Sequence, residues 1–164
     1  MHNLAKSIIA ISAVALVGGC ATQSKTASVD IPKLGKPISE QTVALWNIDV
    51  RTKDGLGLPG GSGTVAQGKV VYEKQCASCH GPDAKGGPVF GSMVGGIGSM
   101  TKNPRILTPG SMYPYAAILF DYTRRAMPMN APQSLTNDEV YAVTAYIYNL
   151  NGLVPADAVV DSKY

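Results

Sequence analysis

Two cysteines separated by two residues and followed at once by a histidine, Cys76, Cys79 and His80 in "CASCH", form the densest group of reactive side chains in the sequence. Two thiols at this spacing can add to two vinyl groups of one porphyrin, because the two intervening residues let a single turn of chain bridge neighbouring rings. The histidine that follows is then carried beneath the iron. C-x-x-C-H is the attachment motif of c-type haem, so the expectation is one covalent haem c, held by Cys76 and Cys79 thioethers with His80 as proximal iron ligand. Other chemistries use similar residues. A structural zinc site needs four ligands around a tetrahedron, and this run packs three too tightly. A thioredoxin-like pair expects a βαβ setting, which the chain lacks. A plain disulfide suits an oxidising compartment but leaves the adjacent histidine unexplained.

A second cluster of soft ligands stands in "RRAMPMNAPQSL", residues 124–135, where Met127 and Met129 flank one proline. Methionine usually fills irregular gaps in a core, yet this stretch carries too much Pro, Asn and Gln for a core element. A thioether is an established axial ligand of haem iron. Met93, Met100 and Met112 are expected to line the haem crevice. Methionine-rich copper binding uses the same atoms, but one haem already accounts for them.

The N-terminus sets the compartment. Lys6, the apolar run Ile8–Val17 and the small residues of "VGGC" make a secretory signal over residues 1–19, too short to span a membrane as a helix. The segment resembles a bacterial lipoprotein signal. That resemblance implies lipidation of Cys20 and, with Ala21 next to it, an outer-membrane anchor facing the periplasm; an ordinary signal cleaved nearby is the other reading. The full chain has 164 residues with 14 Lys+Arg and 11 Asp+Glu. Loss of the signal would remove one of those cations and the other histidine, His2. So small a charge excess is far from that of a nucleic-acid binder, and it leaves His80 as the sole histidine.

The elements that must position these groups are helices. Residues 20–45, rich in Ser, Thr, Lys and Pro, read as a flexible tether. Residues 46–63 form a leader packing on the haem domain, with "GLGLPGGSG" at 55–63 as turn that is neither helix nor strand. The haem domain is placed at 64–155, and 156–164 is left as a C-terminal tail. Thr64 to Cys76 carries helical spacing, with Ser62 or Thr64 as N-cap. Tyr113 to Ala126 is the second helix, with Pro114 in its first turn and Arg124 and Arg125 where a C-terminus favours cations. The third begins with Thr136 and Glu139 as a capping box, continues through Val140, Val143, Ile147 and Leu150, and stops at Asn151-Gly152. No convincing strand appears. The glycine-rich run 86–100 suits a wall pressed against a flat cofactor; it holds no phosphate-binding pattern.

At this point the chain resembles the class I cytochrome c family, which implies an all-α fold of helices and loops wrapped around one haem. Gly68 and Tyr72 ahead of "CASCH" match that family's N-terminal helix. "VYAVTAYIYNLNG" matches its C-terminal helix, with Tyr146 at the crossing by the glycine. By the same resemblance Met127 is the distal iron ligand, with Met129 its packing neighbour or competitor. The carbonyl of Pro88 would accept the other ring N–H of His80 and fix the imidazole. "WNIDVRTKDGLGLPGGSG", "GSMYPYAAILFDYTRRAMP" and "APQSLTNDEVYAVTAYIYNLN" are similar to the cytochrome subunit of the Sox sulfur dehydrogenase and to cytochromes accompanying sulfite dehydrogenases. The departure is the single C-x-x-C-H, since the Sox subunit typically carries a second haem domain.

The resemblance implies an electron-transfer protein rather than an enzyme. It would take single electrons from a molybdenum sulfite or sulfur dehydrogenase and pass them to another cytochrome or oxidase. A general respiratory shuttle to a terminal oxidase is the alternative, and a haem peroxidase or sensor would require Met127 to leave the iron open. Lys69, Lys74, Lys85 and Lys102 surround the motif in sequence and would either rim a docking face for an acidic partner or be plain solvated surface. Arg105, Arg124 and Arg125 are candidates to pair with haem propionates.

Overall fold

Capping chemistry sets where several of the helices begin. In the computed structural model, which describes residues 34–163, helix α1 is Glu40–Trp46, capped by the Ser39 hydroxyl accepting from the Thr42 N–H. It occupies the end of the segment read as tether. Strand β1, Ser62–Thr64, runs into helix α2, Val65–Gln75. There Thr64 and Gln67 form a capping box that satisfies two of the orphan N–H groups of the first turn. A short helix α3, Ala77–His80, and a 3-10 turn at Pro82–Ala84 follow. Helix α4 is Pro109–Met112, α5 is Ala116–Ala126 and α6 is Asn137–Leu150; strand β2 is Val159–Asp161.

Most of the expected architecture stands, with four corrections. The capping box of Thr136 and Glu139 opens α6, and Asn151 caps its end ahead of Gly152 at φ 70°. The second helix begins later than expected: Pro114 precedes it, and Tyr115 in extended conformation is its N-cap. Proline 109 opens a separate short turn of helix instead. The fold is helical but not wholly so, because Ser62–Thr64 pairs antiparallel with Val159–Asp161. Residues 62 and 63, read as turn alone, are therefore strand. The segment 156–164 is no loose tail, since Ala158 and Val160 are buried in the core. A three-residue ladder carries too little periodic pattern to be read from sequence.

Helices α2 and α6 cross at Gly68, and the crossing explains the glycine. A Cβ at Gly68 would overlap the Ala142 carbonyl group and lie 2.8 Å from the Tyr146 Cβ. Only hydrogen fits there, so the two backbones touch. Around this point Tyr72 and Tyr146 pack with ring centroids 5.4 Å apart, within the range of favourable tilted aromatic pairs, and Phe120 and Tyr141 lie closer still at 4.3 Å. The leader is tied down from residue 48 onward. Tyr141 donates its hydroxyl to the Pro59 carbonyl at 2.7 Å, Asn137 donates to the Gly60 carbonyl, and Arg125 donates to the Ile48 carbonyl. Leu58 packs on the core.

Candidate haem crevice

The end of α2 delivers the motif. Cys76 is the C-cap of α2, and the chain turns at once into α3, so Cys76, Cys79 and His80 lie on one turn of backbone. Tyr72, one turn earlier and 1% exposed, donates its hydroxyl to the Gly81 carbonyl at 2.7 Å. That buried bond ties the residue after His80 to α2. Gly81 itself has φ 77°, and a Cβ there would collide with the Gly86 carbonyl, so the motif is folded back against the glycine-rich loop.

All three motif residues line a cavity of about 520 Å³. Its other walls come from four directions: Phe90 and Met93 from the glycine-rich loop, Leu107 to Tyr113 around α4, Leu119, Tyr122 and Met127 from α5, and Val143 and Ile147 from α6. The lining is mainly apolar, and Lys74 is its one ammonium group. Both thiols are free, and among the described residues no three His, Cys, Asp or Glu side chains gather to hold a metal ion. Burial pushes the Cys76 thiol up to about 11, with Cys79 adding to the rise. Burial also lowers the His80 pKa, which favours the neutral imidazole that ligates iron.

His80 stacks on Phe90 with centroids 5.0 Å apart and planes at 21°. Its Nδ1 is buried without a hydrogen-bond partner. The expected bond to the Pro88 carbonyl is therefore absent, and Pro88 is exposed. Within this segment the Gly87 N–H donates to the Phe90 carbonyl, and the Phe90 N–H donates to the Cys79 carbonyl. A half-buried imidazole with an unpartnered Nδ1, its neutral form favoured by desolvation, beside two thiols and a thioether is a donor set that fits a covalently attached c haem.

Met127 is the C-cap of α5, half-buried on the cavity wall, while Met129 lies beyond it at 61% exposure and also reaches the cavity. Met93 and Met112 line the cavity as expected, but Met100 does not. None of the propionate candidates lines it. Arg125 is committed to Asp121 at 2.8 Å, Asp49 at 3.2 Å and the Ile48 carbonyl. Lys69 lies 3.9 Å from Glu73, and of the four lysines around the motif only Lys74 lines the cavity.

Two residues escaped the sequence reading. Asn151, seen there only as a helix stop, accepts from the Gly95 N–H and donates to the Met93 and Ile147 carbonyls. It clamps the glycine-rich wall to the end of α6. Phe90 gave no signal beyond being an aromatic in a glycine-rich run. Residues 1–33, with the signal and Cys20, lie outside the described part; no described helix is long and apolar enough to cross a membrane.

The model of the family described as cytochrome c oxidase, cbb3-type, subunit III matches residues 63–147. A chain in the crystal structure of the sulfane dehydrogenase SoxCD from Paracoccus pantotrophus is 38% identical and superposes with a TM-score of 0.73. The match covers 80% of this chain and 64% of that one.

Proposed function

This chain belongs to the c-type cytochrome family, and on that premise we propose that it carries single electrons, receiving them from a molybdenum-containing sulfite or sulfur dehydrogenase. The cofactor of the family is a covalently bound haem c, which supplies one-electron chemistry at iron. Cys76 and Cys79 would hold it by thioether bonds, with His80 and Met127 as the axial ligands. A methionine ligand would raise the reduction potential, and an iron held by both His80 and Met127 would have no place left for a substrate. The apolar walls from α5 and α6 exclude water and keep the local dielectric low. Tyr72 and Asn151 hold the two loops that must stay in register across the crevice.

The observation that carries the reading is the convergence of the motif and the Met127 loop on one apolar cavity. The likeness to a dehydrogenase chain at 38% identity supports the choice of donor. Transfer to or within a terminal oxidase is the second reading, favoured by the description of the matching family. The signal-like pattern of residues 1–19 and its resemblance to a lipoprotein signal ending at Cys20 support a place in the periplasm, with a lipid on Cys20 as the anchor and Ala21 favouring the outer membrane.

The test is reduction of the oxidised, purified protein by sulfite or thiosulfate, with and without the molybdenum dehydrogenase purified from the source cells. Reduction that requires both enzyme and substrate supports the reading. An active dehydrogenase that turns over with an artificial acceptor but leaves this haem oxidised overturns it.

A further inference from the structure

Helix α1 has no visible reason to be a helix. It is seven residues long and buries none of them. Isolated helices this short are unstable in water, and in proteins their stability comes from packing an apolar face. Yet Val43 and Trp46, three residues apart and so on one face, are open to solvent together with Leu45; Trp46 is 81% and Leu45 76% exposed. Such a cluster on a short helix is unfinished without an occupant.

Its position says which occupant. The leader is fastened to the haem domain just after α1, where Arg125 grips the Ile48 carbonyl and the Asp49 carboxylate. Arg125 stands on α5, two residues before Met127 and one turn from the cavity-lining Tyr122. The chain that leaves α1 is therefore held on the helix that forms one wall of the crevice. The likeness to the sulfane dehydrogenase chain also extends beyond the cytochrome domain. A share of 80% of this chain exceeds everything from Gly63 to the C-terminus, so part of the leader is included. A lipid surface is the poorer fit. Helices that lie on membranes are rich in Lys and Arg on the polar face, whereas α1 itself carries Glu40 and no cation, the nearest being Lys36 and Arg51 outside it.

We propose that α1 is a docking helix that inserts Val43, Leu45 and Trp46 into an apolar groove of the electron-donating dehydrogenase. The proposal rests on the donor assigned above. Recognition is of the helix-in-groove kind, with Trp46 as the anchor; tryptophan is the residue type most enriched at such hot spots.

Trp46 is the only tryptophan of the chain, so the full-length holoprotein labelled with 5-fluorotryptophan gives a single fluorine resonance. Adding the purified dehydrogenase that reduces this haem is expected to shift and broaden that resonance. Trp46→Ala is expected to weaken binding by about 30-fold, the equivalent of a hot-spot truncation of about 2 kcal/mol. Haem content, reduction potential and turnover at saturating cytochrome should stay at the unsubstituted values. Leu45→Ser should weaken binding in the same sense. Unchanged affinity in both variants, with the dehydrogenase still reducing the haem, overturns the docking role and leaves the donor assignment intact. Failure of the unsubstituted protein to accept electrons removes both. Loss of binding to phosphatidylglycerol vesicles in Trp46→Ala, with donor affinity unchanged, would assign the helix to a membrane and overturn the proposal. Conversion of a dimer to a monomer at constant donor affinity would do so in favour of a second copy.

Discussion

Replacing Gly68 by alanine tests the crossing on which the crevice is built. The added methyl group meets the Ala142 carbonyl oxygen, the Ala142 carbonyl carbon and the Tyr146 Cβ at 2.8 Å, none of which is the end of a flexible side chain. The Ala142 carbonyl lies inside α6 and cannot turn away, so α2 and α6 must part. Overpacking of this kind costs about 3 kcal/mol at the upper end of its usual range. Alanine returns about 1 kcal/mol of helix propensity over glycine, leaving a net loss of about 2 kcal/mol. For a domain of this size that corresponds to a fall in melting temperature of about 8 °C. Thermal unfolding of the holoprotein, followed by far-ultraviolet dichroism and haem absorbance, reads it directly. Gly60→Ala is the control, since nothing lies within 4 Å of a Cβ there; it should melt within about 2 °C of the unsubstituted protein. A Gly68→Ala protein that melts with the control would refute the argument that the two helices touch through this glycine.

Four further outcomes are expected. Tyr72→Phe leaves the buried Gly81 carbonyl without its donor and should cost about 1–3 kcal/mol in guanidinium denaturation; a change below about 0.5 kcal/mol would show that the hydroxyl is not needed. Burial raises the Tyr72 and Tyr148 phenols to about 12, above the ordinary tyrosine value of about 10. Their contribution to stability is therefore complete below pH about 10 and lost as pH climbs toward 12, which alkaline denaturation with phenolate absorbance would follow; stability unchanged through that window contradicts it. Met127→Ala should keep the haem attached, open the sixth position and lower the potential by voltammetry, while Met129→Ala leaves the potential near that of the unsubstituted protein; the reverse pattern would move the ligand to Met129. Cys20→Ser should shift the protein from the membrane to the soluble periplasmic fraction, and unchanged membrane retention would contradict lipidation.

What the sequence made legible was chemistry carried by adjacent residues. The five-residue motif fixes its own geometry, and the capping box of Thr136 and Glu139 fixes the start of α6 through bonds between residues three apart. Contacts between distant segments were harder to read. The ladder joining Ser62–Thr64 to Val159–Asp161 pairs two runs of three residues almost a hundred positions apart, with no local pattern to announce it. The Asn151 clamp involves the backbone of Met93 and Gly95, which carries no residue-specific signal. Arg125 pairs with Asp121 one turn back, a local contact, while its remaining partners, Asp49 and the Ile48 carbonyl, come from the distant leader. Pro88 was placed by resemblance alone, since a backbone carbonyl carries no residue-specific signal.

The measurement that reaches the central claim most directly is the absorption spectrum of the reduced, purified protein before and after equilibration with carbon monoxide. A carrier held by His80 and Met127 has no open iron position, so the spectrum should be low-spin and unchanged by the gas. A high-spin spectrum, or stoichiometric carbon monoxide binding at neutral pH, would show an open distal site and contradict the assignment of electron carriage.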